Sequence, residues 1–234
     1  MKTVDVNVDI GEGFAFDEDL LDFATSANVC CGRHAGSWEL TKETIFLCRR
    51  KGVRIGMHPG FPDRDNMGRA RLGEDEVAQY ANSLFEQAIE FWEYAPDTAY
   101  VKPHGAWYNM LTESSPESKP LQRACELMLE GVLASTGLPA MLLGGAPIVR
   151  TLASLGERTI LEGFADRGYE PDGSLRSRSL PGAVLSDKQA IANQVSSLAR
   201  TVDSICVHGD TDGCVEFAEL VYRTLEQNGY EVGF

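Results

Sequence analysis

The chain has 234 residues, 43% of them hydrophobic and 24% charged, with a formal net charge of −14. A chain of that length buries a large core, and no apolar run approaches the roughly 20 residues that cross a bilayer, so one domain over 1–234 in the cytoplasm is expected. The acidic balance argues against nucleic acid or an anionic membrane as a partner, because both need a positive field.

The N-terminal MKTVDVNVDI alternates polar and apolar residues where a secretory signal needs a continuous apolar stretch, and it predicts a first strand over 4–10. Six more strands are predicted at 26–31, 53–58, 99–104, 140–145, 159–166 and 204–210. Helical periodicity fills the gaps at 37–51, 74–94, 117–135, 146–155, 187–200 and 213–228. Ser37 and Asp187 stand where N-caps belong, and Gly52 and Gly229 where C-terminal caps belong. Strands alternating with helices indicate an α/β fold with a parallel sheet. The connections 60–73 and 168–184 are long enough to be binding loops. Chemistry-bearing residues follow many strands, which favours a closed or nearly closed βα barrel over an open sheet with one switch point.

The six cysteines form no CxxC pair and sit mostly in apolar segments, as reduced thiols do. All four histidines share one local syntax: an apolar strand, then His, then Gly within two residues, at His34, His58, His104 and His208. In a parallel barrel the C-terminal strand ends form one mouth, so these histidines are expected to converge there. The two-residue strand period puts Asn7 and Asp9 on one face, with Glu12 just beyond in a glycine turn. Carboxylates beside histidines suit general acid–base work or metal ligation, although Asp9 alone would also serve to order its turn. Asp166 and Arg167 follow the sixth strand, and Lys102 lies two residues before His104. Arg33, Arg64, Arg69, Arg176 and Arg178 add local positive charge beside these segments, which suits a small anionic substrate despite the acidic total. No P-loop and no GxSxG elbow is present.

The segments DVNVDIGEG, TSANVCCGRHAGS, GMHPGFPD, VKPHGAWYN, FADRGYEPDGSL, RSLPGAVL and ICVHGDTDG closely resemble the LamB/YcsF family across residues 4 to 214. The resemblance implies an incomplete seven-stranded (βα) barrel of the glycoside hydrolase/deacetylase type. It also implies a 5-oxoprolinase component that works with two partner subunits in the ATP-dependent opening of 5-oxoproline to glutamate. ATP would then bind outside this chain, and the ligand here would be a small anionic lactam phosphorylated by the partners. The candidate acid, base and oxyanion groups are Asp9, Glu12, His58, His104 and Asp166. The candidate binding groups are Asn7, Arg33, His34, Lys102, Arg167 and His208. The sequence departs from the family pattern at Val8, Arg33 and Ser37, and Arg33 places an extra cation beside His34. Two rival readings are a metal-dependent deacetylase acting alone, with Asp9, His34 and His58 around a divalent ion, and a regulatory subunit that binds the lactam without catalysis. Each reading is compatible with a homo-oligomer.

Overall fold

Strand β1 (Thr3–Ile10) sets the plan of the molecule. Val4, Val6, Val8 and Ile10 are at most 1% exposed and belong to the apolar core. The intervening Asp5, Asn7 and Asp9 join a polar network with residues of other strands. The computed structural model describes residues 2–178, 180–209 and 213–234.

After α1 (Asp17–Leu20) the chain continues through β2 (Ser26–Cys30), α2 (Trp38–Lys51), β3 (Arg54–His58), a 3-10 turn (Glu74–Glu76) and α3 (Val77–Tyr94). Then come β4 (Tyr100–Val101), α4 (Gly105–Thr112), α5 (Lys119–Thr136), β5 (Ala140–Leu143), α6 (Pro147–Ser154) and β6 (Thr159–Phe164). The last elements are α7 (Lys188–Leu198), β7 (Ser204–Val207), α8 (Cys214–Gln227) and β8 (Glu231–Val232). Strands β1 to β7 pair in parallel in chain order, and β1 pairs with both β2 and β7, which closes the ring. This is the expected seven-stranded α/β barrel. Strand β8 is an addition: Lys2 O and Val4 O accept from Glu231 N and Gly233 N on the same edge of β1 where Val6 O accepts from Thr25 N. It thus continues that edge below β2.

The predicted caps are present: Ser37 accepts from Leu40 N at 3.1 Å, Asp187 from Ala190 N at 2.8 Å, and Gly52 is left-handed. Besides β8, strand β4 and helices α1 and α4 differ from expectation. Strand β4 is shorter than 99–104 because Pro103 has no N–H, although Lys102 N and His104 N still donate to Met57 O and Pro59 O at 2.8 Å each. Helices α1 and α4 stand where the periodicity predicts only connections. The end of the 204–210 segment, Asp210, lies outside the described residues.

The inside of the barrel is polar. Asp5, Asn7, Ser26, Asn28, Glu162 and Ser204 are at most 3% exposed. Ser26 Oγ donates to Asp5 at 2.6 Å, Asn7 to Ser204 Oγ at 2.7 Å, Asn28 to Asn7 at 2.6 Å, and Tyr100 OH to Asn28 at 2.7 Å. Paired in this way, buried polar groups avoid their desolvation penalty and carry a continuous network up to the mouth. The apolar core lies between the outer faces of the strands and the helices.

Candidate active site

His58 ends β3, His104 caps α4, His208 follows β7, and His34 lies in the turn between β2 and α2. His34 and His104 stack with centroids 3.8 Å apart, and His58 meets both rings edge-on. Gly60 permits this packing, since a Cβ there would lie 2.6 Å from His34 Nδ1. Gly105, at φ +58°, permits it too: a Cβ would meet Gly68 O at 2.4 Å.

Lys102, 2% exposed, sits on the floor. Its ammonium lies 2.9 Å from Asp9 Oδ1, 2.8 Å from Glu162 Oε1 and 3.2 Å from both Asn7 Oδ1 and Cys206 Sγ. Burial alone would raise the pKa of Asp9, but Lys102, with His58 and His208, holds it well below the carboxylate range. Burial likewise works against a charged Lys102, and Asp9 with the neighbouring Cys206 and Glu162 overrides it upward. Tyr108 OH donates to the other oxygen of Glu162 at 2.9 Å.

Glu12 Oε1 lies 3.3 Å from His104 Nδ1 and 3.4 Å from His34 Nε2. Burial opposes its ionisation, but His104 and His34 bring it down to about 2. His34 is raised to about 9: burial pulls it down, and Cys30, 3.3 Å from Nε2, together with Glu12 outweighs that. His58 is pushed down to about 4 by burial and, against the pull of Asp9, by the charges of Lys102 and His34. His104 is also depressed, by burial and by His34.

Asp166, 1% exposed, binds His208 twice: the ring Nδ1 is 2.9 Å from Oδ1, and the backbone N donates to Oδ2 at 3.1 Å. Burial would raise Asp166, and His208 lowers it. The carboxylate fixes the proton on Nδ1, which leaves Nε2 as the acceptor.

A cleft of about 590 Å³ opens above these groups. Asp9, Glu12, His58, His104, Lys102, Arg167 and His208 line it, beneath a mixed rim of Arg69, Arg71, Arg176 and Arg178 with Glu113, Glu117 and Asp172, in which Arg71 pairs with Glu113 and Glu117 and Arg176 with Glu170. Asp166 lies behind His208, and His34 behind His104. Asn7 is inside the barrel, 0% exposed. Arg33 turns away from the cleft and pairs with Glu90 at 3.2 Å, with both side chains about two-fifths exposed. Arg64 braces the His34 turn by donating to Gly32 O and Gly36 O. Arg167 is 6% exposed and donates to Ala183 O and Arg176 O, which ties down the 168–184 loop. Glu162 and Tyr108 are absent from the residues that the sequence singles out; the two-residue period of β6, which puts Glu162 on one face with Phe164, is the available signal for Glu162.

Among the described residues, two sets bring metal-capable donor atoms within 4.8 Å of one another: Glu12–His58–His104 and Asp9–Cys206–His208. The set Asp9–His34–His58 is not assembled in this way, because His34 directs Nε2 to Cys30 and Glu12. No helix among the described residues is long and apolar enough to cross a membrane.

Comparison with known proteins agrees with this architecture. The A subunit of 5-oxoprolinase from Pyrococcus furiosus is 36% identical over 252 residues, covering 98% of this chain and 96% of the relative. The corresponding protein of Haemophilus influenzae strain PittEE is 37% identical over 256 residues, covering 99% of each. The crystal structure of the lactam utilization protein from Thermus thermophilus superposes with a TM-score of 0.82 at 29% identity, covering 100% of this chain and 99% of that one. A family 4 carbohydrate esterase from Streptomyces lividans shares the fold, with a TM-score of 0.54 at 13% identity over 100% of this chain and 92% of that one. The family model for LamB/YcsF matches residues 4–233, and the chain belongs to that family.

Proposed function

We propose that this chain is the ring-opening component of an ATP-dependent 5-oxoprolinase, a hydrolase of the cyclic amide C–N bond that works with two partner subunits. The relatives named as the A subunit of 5-oxoprolinase, matched along nearly their whole length, support the assignment. An unstrained lactam resists water, and phosphorylation of its oxygen activates the ring carbon. On this reading the partners supply that step and bind ATP, since the chain carries no P-loop.

The observation that carries the chemical reading is the Asp166–His208 pair set into a cleft whose rim carries four arginines. The rim arginines hold the carboxylate and phosphate of the activated lactam. His208 Nε2 takes a proton from the water that adds to the ring carbon, and Asp166 steadies the imidazolium that forms. Collapse of the tetrahedral centre breaks the ring C–N bond as the protons of the added water pass by way of His208 to the leaving nitrogen, and a second water hydrolyses the acyl phosphate left on the carbonyl carbon to glutamate and inorganic phosphate. Asp9, kept anionic by Lys102, lies beside His208. Asp166 itself, enclosed behind the ring, is a positioning residue.

The test is glutamate release from 5-oxoproline and ATP by the purified chain, alone and with its partner subunits. Turnover only in the reconstituted mixture is expected. Robust turnover by the isolated chain overturns the division of labour, and no turnover in any combination overturns the assignment.

A further inference from the structure

The hydrogen bonds of two histidines leave a contradiction that a cation resolves. His58 Nδ1 lies 2.7 Å from Lys102 O, and His104 Nε2 lies 2.8 Å from Met67 O. A carbonyl oxygen only accepts, so each of these ring nitrogens carries the hydrogen. In the neutral rings the other nitrogens, His58 Nε2 and His104 Nδ1, then carry lone pairs, and they face each other at 2.9 Å. Glu12 Oε1 stands 3.3 Å from His104 Nδ1. Asp9 commits Oδ1 to Lys102 and Asn28 and turns Oδ2 toward His58 Nε2, 3.7 Å away. Four electron-pair donors therefore line one wall of the cleft.

We propose that Glu12 Oε1, His58 Nε2 and His104 Nδ1, with Asp9 Oδ2 beside them, hold a divalent transition-metal ion. Donors that share an ion at about 2.0–2.2 Å stand roughly 3.0–3.5 Å from one another, and the observed separations bracket that range. Two imidazoles and carboxylate oxygens suit Zn²⁺, Co²⁺ or Mn²⁺ better than Mg²⁺ or Ca²⁺, which prefer all-oxygen shells. Each imidazole anchors its second nitrogen on a backbone carbonyl, the outer contact that fixes the ring of a metal-bound histidine. The alternative, a proton shared between His58 and His104, would put an imidazolium face to face with His34 at 3.8 Å. An ion there would polarise an oxygen bound in the cleft. The inference does not depend on the lactam reading, because ion uptake is measured without substrate.

The experiment uses the full chain, stripped with chelator and titrated with Co²⁺, read by visible absorption and by calorimetry. One Co²⁺ per chain is expected at micromolar concentration, with an absorption spectrum of mixed nitrogen and oxygen ligation. Glu12→Gln and His58→Gln should each weaken uptake by about a hundred-fold, and His208→Gln should leave it unchanged; circular dichroism verifies the fold of each variant. Uptake only at millimolar Co²⁺, or uptake insensitive to Glu12→Gln and His58→Gln in folded protein, overturns the site. Loss with His208→Gln alone overturns it as well and assigns the ion to Asp9, Cys206 and His208.

Discussion

Asp166 grips His208 by ring and backbone together, at 2.9 Å to Nδ1 and 3.1 Å to the amide nitrogen, so imidazole and strand end are positioned by one buried carboxylate. Asp166→Asn keeps the shape but offers an amide N–H to Nδ1, which favours the tautomer with its proton on Nε2. In the reconstituted enzyme kcat should fall by about 10²–10⁴ with KM nearly unchanged. Steady-state kinetics checks this, and an unaltered kcat would make the pair structural.

Lys102 is a substrate-binding candidate by sequence, but its ammonium is already engaged by Asp9, Glu162, Asn7 and Cys206. Lys102→Met should therefore act first on stability, leaving two buried carboxylates without their cation. The loss should be about 3–5 kcal/mol, a fall in Tm of roughly 10 °C. Adding Glu162→Gln should recover part of it. Scanning calorimetry on the single and double variants checks the coupling; a wild-type Tm with only KM raised would restore the binding role.

The alternation of β1 and the His–Gly syntax make the barrel and its mouth legible, for physical reasons. A strand with Val4, Val6, Val8 and Ile10 on one face must present Asp5, Asn7 and Asp9 on the other. Gly60 follows His58 closely because a side chain there would collide with His34, and Gly105 follows His104 because a side chain there would strike the carbonyl of Gly68. Helix α4 is hidden, since six of its eight residues are buried and it shows no narrow apolar stripe. The partnership of Asp166 with His208 spans 42 residues, a separation on which local periodicity is silent. Arg33 misleads for a related reason: adjacency to His34 says nothing of direction, and its side chain leaves the turn toward Glu90 on α3.

That difference in direction separates two arginines by experiment. Arg178 lines the cleft near Asp166 and Arg167, whereas Arg33 is outside it. Loss of one charge-assisted contact costs about 1.5–3 kcal/mol, so Arg178→Ala should raise KM for the lactam roughly ten- to a hundred-fold with kcat changed little. Arg33→Ala should leave both constants near wild type. An equal rise in KM from Arg33→Ala would return that residue to the binding surface.

A carboxylate away from the chemistry provides a pH signature of the β1–α1 turn. Asp17 Oδ2 accepts from Gly11 N at 2.8 Å and holds the segment that carries Glu12. Burial raises its pKa from the ordinary 3.8 to about 6, with Glu12 adding repulsion and the Gly11 bond opposing. The folded state then binds the proton more tightly than the unfolded state, so this contribution is complete below about pH 4 and is lost as pH rises through about 6. A shift of that size corresponds to at most about 2–3 kcal/mol, less whatever solvent screens at a partly exposed site. Asp17→Asn keeps an oxygen for Gly11 and never ionises. Its stability relative to wild type should therefore climb between pH 4 and pH 6 and stay level above, measured by urea unfolding across that range. A difference that does not vary with pH would mean that Asp17 titrates at its ordinary value, with the turn held by Gly11 and α1 alone.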